Sequence, residues 1–235
     1  MASPGSGTVS GDQLAECLEA AAASFAPGEL AYLALTSKIE RPLQDRLAWC
    51  LHNRLPGLVV SREWRTTDIA VLSARAESPL VLLEAKAMYS FDVAWEHRAS
   101  ASAYPRLMQQ DIAKARALDP HGRADVYALG LVTHPHGSPR NLPGVIKYLD
   151  HINRALNTAS PEDLQLMSAA TMRQALTPLG QVRSGNLPGG TAFGAEVTIG
   201  YWLVGPAHPP APRAADVNAG RRRLSHRSGA FDAPP

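Results

Sequence analysis

Only two cysteines, Cys17 and Cys50, occur in the 235 residues. They sit at no zinc-ligand spacing and are too few for a disulfide framework. Both read as small buried hydrophobes in a reducing compartment. Aromatic residues are sparse at 6%, and charged residues reach 19% against 45% hydrophobic, an ordinary globular balance rather than a disordered or fibrous one. No apolar run approaches the roughly 18 residues of a transmembrane helix. The start, MASPGSGTVSGDQ, lacks the basic and apolar regions of a signal peptide. A cytoplasmic chain without membrane contact is therefore expected. The sequence also lacks a GxxxxGK[ST] loop, a strand-linked GxGxxG and a Gly-x-Ser-x-Gly elbow, which argues against a nucleotide cradle and a serine hydrolase.

Net charge is also small, at +2. From Pro206 onward five arginines face two aspartates, so this tail is +3 and the remainder −1. The body of the chain thus has no basic excess, although a few placed Lys and Arg suffice to hold phosphates. Residues 1–11 are Gly/Ser/Pro-rich and 206–235 Pro/Ala/Arg-rich, and both are expected to be disordered around one domain over 12–205. The Arg221-Arg222-Arg223 run reads as a solvated patch that adds non-specific phosphate attraction at most.

Within the domain, periodicity predicts a helix over 12–25 with Ser10 or Asp12 as cap, and a helical region over 29–55 broken near Thr36-Ser37. Three strands follow: Leu58 to Trp64, Asp68 to Ser73, and Leu80 to Ala87. The last opens on an apolar run that suits a strand buried on both faces. A helix over 99–118, with Pro105 as a break point, precedes a strand over 126–133. Helices over 143–156 and 162–177 precede a final strand over 196–204. Ser184 to Gly190 reads as a turn or mobile loop. The order predicts an α/β sandwich around a mixed central sheet.

The second and third strands form a hairpin if the turn lies near Ala76, and opposed residue numbers then sum to about 152. Asp68 falls opposite Glu84, on one face of the sheet, and Lys86 shares that face two residues on. Facing carboxylates repel unless a cation sits between them. Hard oxygen ligands suit Mg²⁺, which binds one or two carboxylates and keeps several waters. A neighbouring lysine can orient a water and offset phosphate charge.

Asp68, fifteen intervening residues and then Glu84-Ala85-Lys86 resembles the signature of the PD-(D/E)XK nuclease superfamily. The resemblance covers 37–133, with Thr67 standing where the family's name has proline. It implies a restriction-endonuclease-like fold, a mixed central β-sheet flanked by helices. It also implies that Asp68, Glu84 and the Ala85 carbonyl hold Mg²⁺ or Mn²⁺ and that Lys86 is the catalytic lysine. Glu40, on the helix before the sheet, matches the family's additional acid. Gln109, Gln110 and Lys114 match its polar position on the helix after the ExK strand. The implied activity is metal-dependent hydrolysis of nucleic acid, DNA ahead of RNA, with a homodimer left open.

Each feature has a plainer alternative. Glu84 and Lys86 can form a surface ion pair. Ser37-Lys38-Ile39-Glu40 fits a capping box, with Asp45 and Glu29 as rival acids. Gln110 and Lys114 can be a solvated helix face. Asp92 and Trp95 are weaker cleft candidates. His121, His134 and His136 read as loop histidines rather than metal ligands. The alternative function is a non-catalytic module that keeps the nuclease fold to bind nucleic acid or protein.

Overall fold

The structure is a computed structural model that describes residues 9–75, 78–95 and 103–207. The expected tail (apart from its first two residues), most of the N-terminal segment, the turn at Ala76 and the start of the helix over 99–118 lie outside the described residues. Order begins before residue 12: Val9 is buried, and Ser10 caps α1 (Gly11–Ala23). The Ser10 hydroxyl accepts the Gln13 N–H at 3.2 Å, and the Gln13 side chain accepts the Ser10 N–H at 2.9 Å. These reciprocal bonds satisfy two amides that have no partner within the helix.

α2 (Glu29–Thr36) and α3 (Glu40–Arg54) follow, with Pro42 tolerated in the first turn of α3. Next come β1 (Leu58–Trp64), β2 (Thr67–Ser73) and β3 (Pro79–Tyr89). Beyond them lie α4 (Ser90–Ala94), α5 (Ala103–Ala117), β4 (Asp125–Pro135), α6 (Leu149–Leu156) and α7 (Pro161–Leu176). β5 (Val182–Ala192) and β6 (Ala195–Val204) complete the fold. The protein is mixed α/β. Its six strands lie in the order β1-β2-β3-β4-β6-β5, with β3–β4 parallel and every other pair antiparallel. Among the described residues, no helix is long and apolar enough to cross a membrane.

Alternation along the strands divides the core in two. Ile69, Val71, Leu83, Ala85 and Ala87 pack with α1, α2 and α3 on one face. Ala70, Leu72, Leu82, Met88 and Val132 pack with α5 and α7 on the other. A central sheet covered on both faces explains the unbroken apolar runs in β3 and β4.

Several expectations require correction. Ser184 to Gly190 is no loop but the middle of β5, hydrogen-bonded to β6. Its glycines serve close packing, since a Cβ at Gly185 would stand 2.6 Å from the Tyr201 ring. Pro188 is tolerated there because β5 is an edge strand with a register shift between Pro188 and Gly190. The helix expected over 143–156 starts only at Leu149, because Tyr148 takes a left-handed conformation at φ 60°. α4 was not anticipated. His134 lies in β4 rather than in a loop, buried, with Nδ1 3.0 Å from the Ser90 hydroxyl.

The β1–β2 turn carries backbone strain. Arg65 and Thr66 have φ of 48° and 80°, a conformation normally left to Gly or Asn in two-residue hairpins. For β-branched Thr66 it is a true outlier. Thr66→Gly should stabilise the fold by about 1 kcal/mol. Equilibrium urea unfolding reads this as a higher midpoint, and an unchanged or lower midpoint would mean that the turn stores no strain.

Candidate functional site

The β2–β3 ladder pairs Ile69 with Leu83, Ala70 with Leu82 and Val71 with Val81, which is the register the hairpin reading requires. The ladder stops there, while β3 continues alongside β4 to Tyr89. Backbone amides of β3 beyond Leu83 therefore lose their β2 partners. Side chains replace them. The Ala85 N–H donates to Asp68 Oδ2 at 2.7 Å, and the Ala87 N–H donates to Glu40 Oε2 at 3.1 Å. Glu40 is thus no capping-box residue: Ile39 is the N-cap and makes no side-chain cap bond. From the first turn of α3 it reaches the same strand end as Asp68.

Glu84 and Lys86 point to the α5 side of the sheet. Lys86 Nζ lies 3.0 Å from Asp111 Oδ2, and Lys114 Nζ lies 3.1 Å from Asp111 Oδ1. Asp111 is on α5 among Met108, Ile112 and Ala115, all buried, and its own side chain is 8% exposed. An acid at that depth needs a cationic partner, and the two lysines supply it. Lys114 therefore reaches the cluster only through Asp111. Gln109 and Gln110 are exposed on the outer face of α5 and do not join it.

Three segments distant in sequence thus bring Glu40, Asp68, Glu84, Lys86 and Asp111 together, and the electrostatics record the crowding. Burial first, then the charges of Asp68 and Asp111, push the Glu84 carboxyl up to about 8, against the opposing pull of Lys86. Burial also raises Asp68, opposed by the Ala85 N–H and Lys86. Glu40 is raised by burial as well, opposed by the Ala87 N–H and Lys86. Burial works against the Lys86 charge, but Asp111, Glu40 and Asp68 outweigh it and hold the ammonium above its ordinary range. The centre is an acidic cluster with one fixed cation, and its carboxylates each raise the cost of ionising the others.

Such a site fits a hard divalent cation in a limited way. Asp68 and Glu84 offer two carboxylates. The Ala85 carbonyl points to the same side of β3 as its N–H, and so towards Asp68. Two carboxylates with water completing the shell is an ordinary Mg²⁺ arrangement. Among the described residues no group of three or more His, Cys, Asp or Glu is gathered for a metal, so Glu40, Asp68 and Glu84 do not form a closed three-carboxylate ligand set.

Two residues escaped the sequence reading. Asp111 interrupts the apolar stripe of α5 at helical spacing from Met108 and Ala115, a pattern that marks a buried acid. Gln44 lies one turn after Glu40 on α3, is 5% exposed, and favours the ionised form of Asp68, although its Nε2 makes no well-formed hydrogen bond. Asp92 accepts the Tyr89 N–H at the start of α4. Asp45 pairs with Arg62, and Glu29 with Arg46, so neither rival acid enters the centre. His136 bonds Thr198 and His121 is exposed.

No protein-family model, curated protein or solved structure matches the chain. The functional reading therefore rests on the geometry of the site.

Proposed function

We propose that this protein is a Mg²⁺- or Mn²⁺-dependent phosphodiesterase acting on nucleic acid, DNA before RNA, and that its mixed sheet is a restriction-endonuclease-like version of the α/β architecture. The observation that carries this reading is the convergence of Glu40, Asp68, Glu84 and Lys86 on one strand end, where the β2–β3 ladder stops.

Asp68, Glu84 and the Ala85 carbonyl would hold the metal, with Glu40 beside them. A bound Mg²⁺ supplies Lewis-acid stabilisation of charge at phosphorus and makes a coordinated water more acidic. The protein's own groups do the rest. Lys86 keeps its proton and presents a fixed ammonium to the phosphate oxygen and the attacking water. Asp111 fixes where that ammonium stands. Glu40 and Asp68 tie the β3 backbone to α3 and β2, so the ligands are held on rigid elements rather than on loops.

One observation favours the rival reading of a non-catalytic binding module. Asp68 Oδ2 and Glu40 Oε2 already accept backbone N–H groups, a structural task that needs no metal. Incubation with labelled single- and double-stranded DNA and RNA, in Mg²⁺, Mn²⁺ or EDTA, separates the two. Cleavage is expected with either metal, and none with EDTA or with Asp68→Ala. Binding without cleavage in every buffer would replace the phosphodiesterase by the module.

A further inference from the structure

The β1–β2 hairpin ends next to this centre, and its backbone is the most strained among the described residues. Glu63, Arg65 and Thr66 all have positive φ, at 51°, 48° and 80°. Each such residue costs on the order of 1–3 kcal/mol, and strain of this kind persists where surrounding structure enforces it, often beside functional sites. Its position is specific. Arg62 pairs with Ile69 and Trp64 with Thr67, so Glu63 stands across from Asp68.

The strain re-aims a side chain. Leu58 and Val60 pack into the α1–α3 side of the core, and Arg62 pairs with Asp45 of α3 on that side. Regular alternation would send Trp64 the same way. The left-handed turn at Glu63 reverses it, and Trp64 packs instead with the cluster of Ala70, Leu72 and Leu82. That is the face that carries Glu84 and Lys86.

Arg65 completes the arrangement. Its guanidinium lies 4.6 Å from the centre of the Trp64 ring while the residue remains exposed. The nearby arginines are neutralised, Arg62 by Asp45 and Arg41 by Glu63. Among the described residues no carboxylate lies within ion-pairing distance of Arg65. It is an uncompensated cation held over a half-buried indole, in the turn that leads directly into the strand carrying Asp68. The fork of a guanidinium matches the paired oxygens of a phosphate.

We propose that Trp64 and Arg65 form a phosphate grip, in which Arg65 binds the backbone of a nucleic-acid strand next to the phosphate presented to Asp68 and Glu84. The grip rests on the nucleic-acid reading of the site. Trp64 is a positioning residue, and Arg65 makes the contact. The grip also supplies the local positive charge that the body of the chain lacks in sum.

Fluorescence anisotropy of labelled single-stranded and duplex DNA with the full chain, in EDTA and in Ca²⁺, tests the grip over a series of salt concentrations. Arg65→Ala should weaken binding about tenfold at low salt and flatten the slope of log K against log salt by about 0.7–0.9, the signature of one lost phosphate contact. Arg65→Lys keeps the slope but not the full affinity, because an ammonium lacks the fork. Trp64→Leu also keeps the slope while weakening binding. Thermal midpoints show that the variants are folded, and Arg65→Ala, at an exposed position, serves if Trp64→Leu unfolds. Wild-type affinity and slope in Arg65→Ala would overturn the grip, as would an absence of binding by the wild type. Cleavage that ignores Arg65 discards the grip and leaves the phosphodiesterase standing. Arg65-dependent binding without metal-dependent cleavage does the reverse.

Discussion

Lys86→Met is expected to lower metal-dependent cleavage by about 10³-fold or more, the scale of losing a positioned charged group at a reacting phosphate. Methionine nearly matches the lysine stem in length and keeps the packing along β3, so the loss isolates the ammonium. One side effect must be separated. Asp111 has its side chain 8% exposed and lies 3.0 Å from Lys86. After the substitution it keeps only Lys114, whose side chain is 73% exposed. An acid so poorly compensated costs about 1–3 kcal/mol of stability. The double variant Lys86→Met/Asp111→Leu removes that buried charge and should recover stability without recovering cleavage. Asp111→Asn alone leaves Lys86 charged but loosely placed, and single-turnover rates should fall about 10–100-fold with binding kept. If Lys86→Met cleaved within tenfold of the wild type, the ammonium would have no part in the chemistry.

How much of this centre was legible in the sequence depends on which force fixed each residue. The register that sets Asp68 near Glu84 followed from strand alternation and hairpin length alone. The register of Ile69 with Leu83 is the one that arithmetic required. Glu40 was ambiguous, since a glutamate in a first helical turn can serve its own helix or reach elsewhere, and only the end of β2 leaves Ala87 N–H open to it. Asp111 is hidden in the sequence among the polar neighbours Gln109, Gln110 and Lys114. The resemblance specifies only a polar residue on that helix, whereas burial at helical spacing from Met108 and Ala115 singles out the acid. β5 was missed because its strand character comes from β6. A segment with three glycines and a proline has little strand preference of its own. Three local signals pointed to a loop there, and tertiary pairing overrode them. The Trp64 reversal could not be read either, since no sequence rule puts Glu63 into a left-handed conformation.

The second large effect concerns Glu84 and the proton it holds. Its carboxyl titrates near pH 8 in the fold, because of burial and then Asp68 and Asp111, against an ordinary value of 4.5. The folded metal-free protein therefore binds that proton more tightly than the unfolded chain. Between pH 4.5 and 8 the native state carries the extra proton, so the stability this supplies is present at low pH and is lost as pH rises through about 8. Asp68 and Glu40 are raised in the same sense. His134, pushed down to about 4 by burial, acts only below its ordinary value of 6.5, where the unfolded chain takes up a proton. It stays neutral in both states above that range. Without metal, the thermal midpoint should thus fall between pH 6.5 and 9, by roughly 4–8 °C for a loss on the order of 2 kcal/mol, less as solvent screens the half-buried carboxyl. A divalent cation binds the ionised carboxylates and must displace the proton first, so its affinity should climb with pH and level off above about 8. Saturating Mg²⁺ or Mn²⁺ should then raise the midpoint far more at pH 9 than at pH 6.5. Glu84→Gln, which imitates the protonated acid without its charge, should flatten the pH dependence of the metal-free protein and abolish the response to metal. Differential scanning calorimetry across that range, with and without metal, reads both effects. Parallel curves would mean that no cation bridges Asp68 and Glu84. A metal response that survived Glu84→Gln would place the cation elsewhere.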